Sequence, residues 1–255
     1  MDGRAPDLPP AEQPAPVTVL APAKLTVSLR LVGLRDDGYH LIDAEMVSLD
    51  LADVLELHPG GDGVEVRVPA GGAAAHGLVI DQGEDNLVAK ALRLVGRRAR
   101  VVITKHIPAG AGLGGGSADA AAVLRWAGFD DPVAAAGLGA DVAFCLRNGR
   151  ARVRGIGEQL DPLPYERRTF TLVTPPFGCS TVAVYRAWDR LGGPQGDNGN
   201  DLEPAALTVE PRLAFWRDEL AAATGQRPRL AGSGSTWFVE GAHPGAGRTV
   251  VTTTP

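Results

Sequence analysis

The stretch Ile107-Pro108-Ala109-Gly110-Ala111-Gly112-Leu113-Gly114-Gly115-Gly116-Ser117-Ala118-Asp119 puts five glycines into the seven positions from 110 to 116. It follows the apolar, strand-like Val101-Val102-Ile103 and precedes the alanine-rich Ala120-Ala121-Ala122-Val123-Leu124, which reads as a helix to about Trp126. Glycines let backbone N–H groups approach a ligand with no Cβ in the way. The unpaired N–H groups and positive dipole end of the following helix then favour a phosphate. The site suits a nucleotide triphosphate. A flexible linker would be flanked by polar, low-complexity sequence instead. Gly110, Gly112 and Gly115 also satisfy the dinucleotide pattern G-x-G-x-x-G, but that pattern asks for a carboxylate about 20 residues on, at the end of a second strand. Here Asp141 precedes an apolar run rather than ending one. No Gly-Lys-Ser/Thr follows the glycines, and no His-Arg-Asp or Asp-Phe-Gly occurs, which excludes a Walker A loop and the protein-kinase set.

A chain of 255 residues with 44% hydrophobic and 22% charged residues has the composition of a globular enzyme, and its length allows two compact halves sharing a cleft. The formal charge of −5 argues against nucleic acid as a partner, which needs a basic face, but leaves room for a small anion in a local glycine site. Cys145 and Cys179 stand far apart with no metal-binding spacing, so buried thiols in a reducing compartment are expected. Residues 1–16 are rich in Pro, Ala and acidic groups and carry neither a signal-like pattern nor a membrane span. They read as a disordered tail on a cytoplasmic protein that makes no membrane contact.

From Lys24 to Leu31 the chain alternates strictly, with Leu25, Val27, Leu29 and Leu31 on one face and Lys24, Thr26, Ser28 and Arg30 on the other. That pattern predicts a half-buried strand whose polar face is solvated. Arg35-Asp36-Asp37-Gly38 signals a turn, and alternation resumes through Val54–Leu57 and Val64–Val68. Helical spacing runs from Asn86 to Val95. Leu160-Asp161-Pro162-Leu163-Pro164 is expected to divide an N-terminal, ATP-binding unit (17–160) from a C-terminal one (165–255). The second unit offers helices near 182–191 and 211–223 and strands at 170–173, 229–230 and 237–239.

Four separated segments, Pro22-Ala23-Lys24-Leu25, Asp37-Gly38-Tyr39-His40, the glycine loop with Gly139-Ala140-Asp141-Val142, and Leu230-Ala231-Gly232-Ser233-Gly234-Ser235, together resemble the GHMP small-molecule kinases in their family order. With Asn200-Asp201-Leu202-Glu203, the resemblance is to the branch acting on diphosphocytidyl methylerythritol in the non-mevalonate isoprenoid pathway. It implies an α/β (α+β, two-layer) fold of two domains with the active site in the cleft between them, and transfer of the γ-phosphoryl group of ATP, with Mg²⁺, to a hydroxyl. Such transfer is mostly positioning and charge neutralisation.

The same resemblance assigns roles. Lys24 and Asp141 correspond to the catalytic pair. Pro108, Gly110, Gly112, Leu113, Gly114, Gly115, Gly116 and Ser117 correspond to the phosphate loop, with Asn86 near the adenine. Tyr39, His40, Thr26, Thr181 and Tyr185 correspond to the substrate side, Tyr39 stacking on a cytidine base and His40 hydrogen-bonding to it. Each position also has a plainer reading: Asp141, Asn86 and Ser117 as helix caps, Tyr39 and His40 as turn residues, and Tyr185 as core. Ser117 could instead offer its hydroxyl to Mg²⁺, and Asp119 reads as a dipole-favoured cap. Relatives usually carry a second serine where this chain has Ala118 and an asparagine where it has Thr26. The segment from Trp126 to Leu138 is short, and the long helix usual after Glu240 is missing, which abbreviates the second half. Homoserine, mevalonate or sugar kinases, or an inactive nucleotide-binding homologue, are the alternatives, and the oligomeric state is left open.

Overall fold

The structure is a computed structural model that describes residues 15–69 and 81–255. The expected tail lies outside the described residues except for Ala15 and Pro16, which are exposed and in no regular element. Two long strands, β1 (Val17–Leu34) and β2 (His40–Pro59), pair antiparallel from Val17 opposite Leu57 to Leu34 opposite His40. Three register shifts interrupt the ladder, between Pro22 and Lys24, Thr26 and Ser28, and Leu31 and Gly33. Such irregularities bend a strand and re-aim its side chains. Their position matters here because Lys24 and Thr26, expected on a solvated face, are buried at 4% and 2% exposure. Alternation was read correctly, but the polar face near residue 24 looks into the protein rather than into water.

The chain continues through β3 (Val64–Arg67), α1 (Leu87–Leu94) and β4 (Ala99–Thr104), with β3 parallel to β4 and β4 antiparallel to β2. Helix α2 (Gly115–Trp126) buries every residue from Ala118 to Leu124, because its alanines let the backbone come close to its neighbours. Then follow α3 (Pro132–Ala136), α4 (Ala140–Arg147) and the hairpin β5 (Arg150–Gly155) and β6 (Gln159–Pro162), with β5 antiparallel to β2. The second half holds β7 (Thr169–Val173), α5 (Thr181–Arg190), α6 (Glu203–Val209), α7 (Leu213–Thr224), β8 (Arg229–Leu230), β9 (Trp237–Glu240) and β10 (Arg248–Thr254).

Strand β10 joins the halves. It pairs with β7 from Arg248 to Thr252 and with β2 at Thr253 and Thr254, giving the order β3-β4-β2-β10-β7-β9-β8, with β1 and β5 also pairing with β2 and β6 with β5. The stretch expected as a boundary therefore begins inside β6, and the last strand runs across it. After β9 the chain turns directly into β10 rather than into a helix.

The large buried side chains Trp237, Phe144, Phe170 and Phe238 anchor the core. Phe170 and Phe238 meet edge to face at 5.7 Å, on paired strands β7 and β9. Phe170→Ala should cost about 3–5 kcal/mol, the usual range for emptying an aromatic site in a core. Phe215→Ala, at a side chain 59% exposed, should cost under about 1 kcal/mol. Urea unfolding of the two variants beside the parent checks the contrast.

Candidate active site

Gly110, Gly112 and Gly114 each take positive φ, at 67°, 76° and 70°, so every second residue of the loop sits where an L side chain is strained. Space is restricted as well. A Cβ on Gly112 would strike the carbonyl oxygens of Ala231 and Gly234, and one on Gly114 would stand 2.7 Å from Lys24 Cγ. The loop is pinned from both sides: Lys24 donates its N–H to Leu113 O (3.0 Å), and Thr236 donates to Ala111 O (3.1 Å). Pro108 is buried at the loop's entry, and the Leu113 side chain is core.

Helix α2 has Gly114 as its N-cap with no side-chain capping bond. Helix geometry leaves the N–H groups of Gly115, Gly116 and Ser117 without partners inside the helix. Ser117 therefore does not cap the helix, and its half-buried hydroxyl bonds no described residue. Asn86 is a true N-cap of α1, accepting from Val88 N at 2.8 Å. It stays beside the loop all the same, because its neighbour Leu87 lies 3.8 Å from the Cβ position of Gly116.

Lys24 Nζ reaches Asp141 Oδ2 at 3.1 Å and donates to Thr26 Oγ1 at 3.0 Å. The lysine side chain is 5% exposed and the aspartate 32%. Asp141 is the second residue of α4, whose N-cap is Gly139, so the carboxylate meets both the ammonium and the positive end of a helix. It does not cap the helix itself. Thr26 uses its hydroxyl oxygen to hold the ammonium.

Beside this pair opens a cavity of about 490 Å³, within the usual range for a small-molecule site. It brings together Lys24, Thr26, Gly112 and Asp141 with Tyr39, His40, Thr181 and Tyr185. Pro108, Gly110, Leu113, Gly114, Gly115, Gly116, Ser117 and Asn86 do not line it. Gly112 alone of the loop does, so the cavity and the glycine loop adjoin each other. Tyr39 is 59% exposed on a turn closed by Gly38, and the Arg35 guanidinium lies 5.4 Å from its ring centre. His40 pairs with Asp189 (Nε2 to Oδ1, 2.7 Å) and lies 5.0 Å from the Tyr185 ring. Tyr185 both packs on the core and lines the cavity, with burial and then the charge of Asp141 pushing its phenol up to about 12.

Two features escaped sequence reasoning. Ser233, from the Gly-rich 231–235 turn, shares a hydrogen bond of 2.9 Å with Thr181 at the cavity wall. Under the loop lies a buried trio: Lys105 Nζ touches Asp53 Oδ2 and, at 2.8 Å, Asp119 Oδ2. Asp53 also accepts from the backbone N–H groups of His106 (2.5 Å) and Ile107 (2.9 Å). Asp119 is thus no exposed helix cap but 3% exposed, with Oδ1 unpartnered. Burial works against the Lys105 charge, yet its two carboxylates outweigh that and raise its pKa. The signal was there in two ionisable residues, Asp53 and Lys105, set in apolar strand sequence.

Residues 86–149 match the family model described as the GHMP kinases N terminal domain. The chain is 40% identical over 237 residues to 4-diphosphocytidyl-2-C-methyl-D-erythritol kinase of Paracoccus denitrificans, covering 86% of this chain and 84% of the relative. It is 38% identical to the protein of that name from Rhodopseudomonas palustris, covering 86% of each. The chain belongs to the 4-diphosphocytidyl-2-C-methyl-D-erythritol kinase family. A crystal structure of 4-(cytidine 5'-diphospho)-2C-methyl-D-erythritol kinase superposes with a TM-score of 0.71 at 29% identity, covering 94% of this chain and all of that one. A homoserine kinase from Cytophaga hutchinsonii, at TM-score 0.59 and 18% identity, shares the fold. As a member of this kinase family the chain is an ATP-using phosphotransferase with the two-domain GHMP fold. Among the described residues no helix is long and apolar enough to cross a membrane.

Burial, opposed by Lys105 and reinforced by Asp53, raises the Asp119 carboxyl from 3.8 to about 7. The fold then holds that proton more tightly than the unfolded chain does, so stability falls as pH rises between those two values. Asp119→Asn should lose less stability than the parent between pH 5 and pH 8, read from urea midpoints; equal slopes would contradict the assignment. A second expectation concerns Gly114→Ala, whose Cβ would displace the Lys24 stem and sit at a strained positive φ: turnover should fall and the melting temperature should drop by a few degrees, about what 1–2 kcal/mol costs a chain of this size.

Proposed function

We propose that this chain transfers the γ-phosphoryl group of ATP to a hydroxyl of 4-diphosphocytidyl-2-C-methyl-D-erythritol, a step of the non-mevalonate route to isoprenoids. The observation that carries the reading is the Lys24–Asp141 pair, placed where the glycine loop meets the cavity. On this reading the unpaired N–H groups of Gly115, Gly116 and Ser117 and the dipole of α2 receive the phosphates. The loop's glycines let the chain come close, and Asn86 stands near the adenine. Asp141 orients the acceptor hydroxyl and takes its proton. Lys24 holds Asp141 in place and offsets charge on the transferring group.

The donor set also fits Mg²⁺. The described residues contain no cluster of three or more His, Cys, Asp or Glu able to hold a metal by themselves. Mg²⁺ in kinases is held largely by substrate phosphates and water with one or two protein oxygens, a role the unengaged Ser117 hydroxyl suits. The ion would neutralise charge on the phosphates.

Across the cavity Tyr39 stacks on the cytosine and His40 hydrogen-bonds to it, while Thr181 and Tyr185 bound the rest of the substrate. The unit 17–160 contributes the ATP side together with Tyr39 and His40, and the unit 165–255 contributes the facing wall with Thr181 and Tyr185. The enzyme acts on a small molecule in the cytoplasm and not on nucleic acid.

Asp141→Asn keeps the shape and removes the base. Turnover should fall about 100-fold or more with little change in ATP affinity, as is usual for loss of a general base. A variant within about threefold of the parent would make Asp141 structural. Substrate choice is read from coupled ADP release with 4-diphosphocytidyl-2-C-methyl-D-erythritol, homoserine and mevalonate side by side. The first should be turned over and the others not. Faster turnover of either alternative would replace the substrate while leaving the kinase fold in place.

A further inference from the structure

The His40–Asp189 pair has a consequence for base selection, on the footing that the cavity receives a cytidine as proposed above. The imidazole is fixed on three sides. Its Nε2 meets Asp189 Oδ1 at 2.7 Å, the Tyr185 ring lies 5.0 Å away, and Trp188 stands edge-on at 5.5 Å. Trp188 is itself tied down, donating from Nε1 to Pro194 O at 2.9 Å. The His40 side chain is 11% exposed, so the ring has little freedom to turn over. His40 and Asp189 both line the cavity, with Asp189 on the last turn of α5.

An ionised carboxylate only accepts hydrogen bonds. The proton between the two groups therefore sits on Nε2 of the histidine, and the neutral ring keeps a lone pair on Nδ1, which bonds no described residue. A pyrimidine edge meeting that nitrogen must bring a donor. Cytosine carries an exocyclic amino group, a donor, where uracil carries a carbonyl oxygen, an acceptor. We propose that Asp189 is a specificity-determining positioning residue: by holding the proton on His40 Nε2 it presents Nδ1 as an acceptor and selects cytosine over uracil. Its hydrogen bond with the neutral imidazole adds little stability at a half-exposed rim position, and its effect is on which nitrogen of its neighbour carries hydrogen.

The test is calorimetric binding of CMP and UMP at pH 8, above the ordinary range of an imidazole. The parent should bind CMP more tightly than UMP by about 5- to 150-fold, the span of one buried hydrogen-bonding group met or unmet. In Asp189→Ala, where either tautomer is free to form and Nδ1 can also donate, the ratio should shrink to within about threefold, mainly through tighter UMP binding, while ATP affinity is unchanged. Asp189→Asn, close in shape and able to offer either an oxygen or an amide N–H to Nε2, should narrow the ratio in the same way and guards against a folding defect in the alanine variant. An unchanged ratio in both variants, or equal weakening of CMP and UMP, would overturn the inference and leave Asp189 a rim hydrogen-bond partner. A parent that binds neither nucleotide would overturn the cytidine reading itself, a distinct failure.

Discussion

The buried ammonium of Lys24 is the point from which the rest of the site is arranged. A lysine 4% exposed survives in a protein interior only with partners, and here they come from separate elements: Asp141 from helix α4 and Thr26 from the same strand. Its stem fills the space left by Gly114, and its backbone N–H bonds Leu113 O. Strand, loop and helix are thus bound to one side chain. Removing the charge would leave a partly buried carboxylate uncompensated and slacken the loop at once.

The glycine loop depends equally on the other half of the molecule. Gly112 packs on the carbonyls of Ala231 and Gly234, and Ala111 accepts from Thr236, so the 231–236 turn braces the loop from the far side. Below it, Asp53 and Asp119 compensate Lys105, and Asp53 also satisfies the two backbone donors that open the loop. The loop is held in shape by buried polar contacts on its hidden face, while the first amides of α2 stay free. That division between a fixed back and an open front is what pre-organised anion binding requires.

Much of this was legible in the sequence for physical reasons. Glycines at alternate positions were read as room for close backbone approach, and Gly110, Gly112 and Gly114 also take left-handed backbone. The strand around Leu25 was carried by its strict alternation, and the helix after the glycines by its alanine-rich run. What failed was whatever depended on distant partners. The polar face of Lys24 and Thr26 looked solvated because a register shift and the cover from α4 are invisible locally. Asp119 looked like a helix cap because Lys105 and Asp53 lie far from it in sequence. The hairpin β5–β6 and strand β10 were missed because Arg- and Thr-rich edges give weak apolar signals, and α6 because seven residues opening on Glu-Pro show little period.

On the proposed function, the Lys24–Asp141 pair stands between phosphate donor and hydroxyl acceptor. The decisive measurement is a crystal structure of the protein with a non-hydrolysable ATP analogue and 4-diphosphocytidyl-2-C-methyl-D-erythritol. Phosphates should lie against the amides of Gly115, Gly116 and Ser117, and a substrate hydroxyl within about 3.2 Å of an Asp141 carboxylate oxygen, the reach of a general base. A hydroxyl held out of reach of Asp141, or phosphates bound elsewhere than the glycine loop, would contradict that placement.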